Sequence, residues 1–177
     1  DWSKITVPFV TPMNWAGFGL HPRGNSEAFL QAASTEKWFE GHPGRHEEWF
    51  YLPYGMDLQK RFFDHYLKGE DNGWATEPRA WLNLRRPFSD GFELRKEDDW
   101  PLKGTDWTRL FLDAGAGALD WSAQKTEASR SFEAMGDGLT WHAPPLEAET
   151  EITGPLALKL FISSTTPDAD FFITVQA

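Results

Sequence analysis

A chain of 177 residues has room for one or two domains, and 40% hydrophobic content with 10 Trp and 14 Phe provides for a packed core, which argues against disorder. The net charge of −10 disfavours phosphate backbones and anionic membranes, so nucleic acid and membrane are excluded as expected partners. The absence of cysteine removes any disulfide frame or thiolate metal site.

No stretch approaches the roughly 20 apolar residues of a membrane span. The opening DWSKITVPFV carries no basic n-region or apolar h-region, so it does not read as a signal peptide, and the compartment stays open. The chain starts almost directly in an apolar run and ends in FFITVQA, which still reads as a strand. Both ends are therefore expected to be cuts inside a larger protein.

The segment ITVPFVTPM has the β-branched and aromatic content of a buried strand, with Pro8 placing its start near Phe9. NWAGFGLHPRGN, with three glycines and a proline, predicts a loop. Asn25 or Ser26 is expected to cap the next helix, whose stripe is Phe29, Leu30 and Ala33. Lys37 to Gly41 is the second strand, so the order predicts a βαβ unit with parallel strands. A loop with His42 and His46 follows, then a helix from Met56 to Lys68. Leu58, Phe62, Phe63, Tyr66 and Leu67 are expected to form one broad apolar face, ended by Gly69.

The polar, turn-rich GEDNGWATEP (69–78) is expected to be a domain boundary, separating residues 1–77 from 78–177. Beyond it, short runs at 79–85, 107–112, 128–132, 139–142, 149–152, 156–163 and 170–175 alternate with Gly, Pro, Asp and Ser clusters. That pattern predicts a β-sandwich or jelly roll. The alternation of Leu156, Leu158, Leu160 and Ile162 with Ala157, Lys159, Phe161 and Ser163 predicts a strand with one buried face. Trp100, Trp107, Trp121 and Trp141 are expected to pack the sandwich and its seam, with a sugar-stacking face as the alternative. Asp120, Asp137, Asp168 and Asp170 lack the dense ligand spacing of a calcium loop.

A histidine on a loop after a strand, backed by the next helix, is the setting in which an α/β-hydrolase presents its catalytic base. A zinc reading of His42 and His46 fails, because Pro43 and Gly44 break the helix that would align both rings. The nucleophile is missing: Ser26 does not have both flanking glycines of a G-x-S-x-G turn, since Ala28 stands at the second glycine position.

The stretch ITGPLALKLFISSTTPDADFFITVQ (152–176) resembles the C-terminal β-sandwich of the cocaine esterase / X-prolyl dipeptidyl-peptidase hydrolases. The matching features are Gly154-Pro155, Ser163-Ser164, Asp168 and Asp170. WSKITVP, HPRGN, the K-W strand and LQKRFFDHYLKGEDNGW resemble the last third of the same family's hydrolase domain. The resemblance implies the C-terminal part of an α/β-hydrolase sheet followed by a jelly-roll-like, galactose-binding-like sandwich. It implies a serine hydrolase of esters or of N-terminal acyl or X-prolyl amide bonds, whose serine lies upstream of residue 1, so that the isolated chain is inactive. It implies no cofactor and a small ester or peptide substrate, and it leaves homo-oligomerisation open. Gly44-Arg45-His46 fits the position of the base, so His46 is the expected general base, ahead of His42. His21 and His65 are expected to be structural or solvated. The family's orienting Asp falls on Gly17 here, and Glu27 is the first carboxylate after it. Glu27, a different acid, or lost activity remain as alternatives.

Overall fold

The computed structural model describes residues 1–17, 19–87 and 91–176. Strand β1 (Phe9–Asn14) leads into helix α1 (Pro22–Gln31), strand β2 (Lys37–His42), the single-turn helix α2 (Glu48–Tyr51) and helix α3 (Pro53–Lys68). Strands β3 (Ala80–Arg85), β4 (Phe92–Glu97), β5 (Phe111–Asp113) and β6 (Ala118–Asp120) follow. One sheet has the order β1-β2-β3-β4, parallel except for the antiparallel β3–β4 pair, and β5–β6 form a separate antiparallel ribbon.

Alternation along β2 and β3 distributes side chains to two faces. Phe39, Ala80 and Leu82 join Met13, Phe29 of α1 and Trp100 on one face. Trp38 and Trp81 join Leu58 and Phe62 of α3, Trp49 and Trp74 on the other. The buried aromatics meet in tilted and edge-on pairs such as Trp38–Trp74, 5.1 Å between centroids, a geometry that suits ring quadrupoles.

Several expectations are corrected here. Helix α1 starts at Pro22, not after Asn25 or Ser26: proline has no N–H to satisfy and its φ is already helical. Asn25 instead donates from Nδ2 to Thr11 Oγ1 and the Pro12 carbonyl, each at 2.9 Å, and so ties α1 to β1. Helix α3 also starts at a proline, Pro53, and ends at Gly69, whose φ of 72° is the left-handed conformation that stops a helix. Its apolar face is narrower than expected, because Phe63 and Leu67 are exposed. The strand beyond the expected boundary at 77/78, β3, pairs in parallel with β2, so residues on both sides of that boundary share one sheet.

After β6 the described residues carry only an isolated bridge between Ala118 and His142. Leu156, Leu158, Leu160 and Ile162 are exposed, so the buried face expected of 156–163 does not form. Alternation prepares a strand for pairing, but its ladder and its covering layer must come from other strands. Trp100 is buried, stacked on Phe39 at 4.8 Å and donating from Nε1 to Ser26 Oγ at 2.8 Å. It therefore packs the large sheet, whereas Trp107 and Trp121 are exposed.

Candidate active site

Strands β1 and β2 end side by side, with Asn14 opposite His42 in the parallel register. The period of two sends Trp38, Glu40 and His42 to one face of β2, toward α2 and α3. Glu40 is fully buried. It lies 2.8 Å from His42 Nδ1 and accepts the Tyr54 hydroxyl of α3 at 3.1 Å. With the carboxylate accepting the Nδ1 hydrogen, the ring's remaining lone pair is on Nε2. Among the described residues, that Nε2 is buried without a hydrogen-bond partner, as are Asn14 Oδ1 and Trp49 Nε1. The Trp49 ring lies 6.4 Å from His42 at 27°. Burial pushes the Glu40 carboxyl above the usual carboxylate range, against the opposing pull of His42 and Tyr54. Burial and the Glu40 charge likewise push the Tyr54 phenol up.

His46 lies four residues past the end of β2 and is exposed. Its ring stacks on His21, with centroids 4.3 Å apart and planes 14° apart. His21 precedes the first turn of α1. A Cβ on Gly17 would come within 2.7 Å of Asn14 Nδ2 and 3.0 Å of His21 Cδ2. The position of the expected acid is thus a close-packed corner between Asn14 and His21. Among the described residues no hydrogen bond holds His46.

The other candidates have separate duties. Glu27 accepts Gln31 on the surface of α1, Ser26 accepts Trp100, and His65 Nδ1 donates to the Glu70 carbonyl. Sequence reasoning passed over Glu40 and Tyr54. The signal for Glu40 was in E-G-H: residues i and i+2 of a strand share a face.

Imidazoles at and beyond the carboxyl end of β2, in a β–α–β–α–β order with parallel strands, are an arrangement compatible with a mixed α/β hydrolase. Residues 72–177 match the X-Pro dipeptidyl-peptidase C-terminal non-catalytic domain family. The chain belongs to the cocaine esterase / X-prolyl dipeptidyl-peptidase family of hydrolases. It is 28% identical over 153 residues to the cocaine esterase of Rhodococcus sp. (strain MB1 Bresler), covering 64% of this chain and 26% of that protein. It is similar in structure to a CocE/NonD family hydrolase from Staphylococcus aureus, with TM-score 0.63, 36% identity, and coverage of 68% of this chain and 22% of that one. A second crystal structure of that hydrolase gives 0.61 and 38%. The chain thus spans about a quarter of the length of the relatives it matches.

Proposed function

We propose that the chain is the C-terminal part of the hydrolase domain of a serine hydrolase, which includes β3 and β4, joined to a jelly-roll-like (galactose-binding-like) sandwich that begins beyond β4. The whole protein would cleave esters or N-terminal acyl or X-prolyl amide bonds, with its nucleophilic serine on a segment before residue 1. The observation that carries this is the placing of two imidazoles, His42 and His46, at the carboxyl end of β2 beside the end of β1. In the reaction an imidazole takes the serine proton as Oγ bonds to the substrate carbonyl carbon. It then gives the proton to the leaving oxygen or nitrogen as that bond breaks, and water repeats the cycle to release the acid. His46 as the base is supported by its exposed ring at the rim; His42 is supported by its carboxylate.

Fluorophosphonate labelling tests the reading. The full-length protein is expected to take the label and turn over p-nitrophenyl esters or X-prolyl amides, and the isolated 177 residues to do neither. Full activity in the isolated chain would remove the upstream serine from the account.

A second reading, a carbohydrate- or partner-binding module on a degenerate hydrolase, is favoured by the exposed rings of Trp107 and Trp121. It predicts glycan-array binding that disappears in Trp121→Ala. Trp141 serves it less well, since its Nε1 is spent on the Asp113 carbonyl.

A further inference from the structure

Two imidazoles follow one another at the end of β2, but only one has a carboxylate. We propose that His42 is the catalytic base of this hydrolase and that Glu40, two residues earlier on the same strand, is the residue that positions it. This deepens the serine-hydrolase reading and rests on it.

A base needs its tautomer and ring orientation fixed, and a buried carboxylate on Nδ1–H does both. Glu40 meets that need at 2.8 Å and is itself held by Tyr54. His46 has an aromatic face against it, which fixes a plane but not a ring N–H. Among the described residues Nε2 has no hydrogen-bond partner, and two more polar atoms, on the register partner Asn14 and on Trp49, are also buried without one. A buried polar atom left without a partner is costly, and a reacting hydroxyl hydrogen-bonded to Nε2 would supply the missing one. The acid absent from the close-packed corner at Gly17 is thereby supplied from within β2.

Nε2 is buried, with the Trp49 ring of α2 6.4 Å from the His42 ring, so the serine reaches it only when the residues packed around His42 yield. The serine Oγ–H proton then passes to Nε2, while Nδ1–H stays on the Glu40 carboxylate.

The test uses the full-length protein, with p-nitrophenyl acetate turnover and fluorophosphonate labelling as readouts and circular dichroism to verify folding. His42→Gln is expected to lower kcat and labelling rate by about 10³-fold or more. Glu40→Gln is expected to lower kcat by about 10²–10⁴-fold with KM nearly unchanged, and Glu40→Asp to recover at least about tenfold of that. His46→Ala, which removes the rival imidazole, is expected to lose at least about tenfold less activity than His42→Gln. A folded, active His42→Gln, or a loss of 100-fold or more in His46→Ala, overturns the assignment. Should the His42 and Glu40 variants fail to fold, His46→Ala decides: retained activity leaves His42 as the imidazole of this segment. A parent protein that takes no fluorophosphonate at all overturns the hydrolase reading itself.

Discussion

Gly55 stands where α2 and α3 turn against each other, and a Cβ there would overlap the carbonyl oxygen of Trp49. The obstacle is backbone, so no rotamer relieves it. Gly55→Ala is expected to cost about 1–3 kcal/mol, as overpacking in a tight core does. For a chain of this size that is a fall of about 2–12 °C in the thermal midpoint. The same displacement would move Trp49 off His42, so the loss should be accompanied by a changed tryptophan fluorescence. Asn25 makes a second prediction at this scale. It links α1 to β1 through two hydrogen bonds, one of them to the carbonyl of Pro12. Asn25→Ala leaves those groups on β1 without their partner, and urea unfolding is expected to show a loss of about 1–3 kcal/mol.

Among the elements, α3 and β4 are joined through Glu77, which takes Arg61 from the helix and Lys96 from the strand. Burial alone would push the Glu77 carboxyl up, but Lys96 and Arg61 outweigh it and hold it below the usual carboxylate range. A depressed pKa contributes stability that is complete above the ordinary carboxylate value and fades as pH falls through the folded value. Glu77→Gln is therefore expected to lower the thermal midpoint at pH 7 and to differ less from the parent as the pH drops below about 4. A deficit independent of pH would assign Glu77 a packing role instead. The strands legible in the sequence, β1, β2 and β3, are marked by apolar and aromatic content, as sheet residues covered on both faces are, and α3 by its apolar stripe. Strand β4, FELRKE, escaped because its residues are charged and mostly exposed, so no buried face marks it. Proline at the first turn starts α1 earlier than the capping residues Asn25 and Ser26 suggest, and starts α3 at Pro53, three residues before the expected Met56. The polar run before β3 reads as a boundary from turn residues alone, yet turn chemistry marks where the chain bends and says nothing about which strands pair afterwards. At the site, His42 and His46 were legible as histidines after a strand. The partner that distinguishes them was not, because a buried glutamate in a strand has no local signature beyond its parity with His42.

Over the whole molecule, the C-terminal part is fastened to the large sheet by charge more than by apolar burial. Arg95 of β4 makes a two-pronged contact with Glu151, at 2.7 and 2.8 Å, and Arg86 reaches Glu149 at 3.6 Å. Sequence periodicity could not reveal such a tie, since paired charges 56 residues apart follow no repeat. Arg95 holds the Glu151 carboxyl at about 2, against the opposing effect of burial. The depressed value means the contribution is fully present above the ordinary carboxylate pKa and is lost as pH falls toward 2. Both side chains are partly open to water, so the pair is worth about 1 kcal/mol or less, and salt screens it. Glu151→Gln is expected to lower the thermal midpoint by about 1–4 °C at pH 7 and low ionic strength. The difference should narrow between pH 4.5 and pH 2.5, and also in 1 M sodium chloride. Double substitution with Arg95→Gln should cost less than the sum of the two single changes, because they share the Arg95–Glu151 contact, while Arg95 Nε also meets Glu97 at 2.6 Å. Fully additive losses would mean that each side chain holds the C-terminal part through other neighbours.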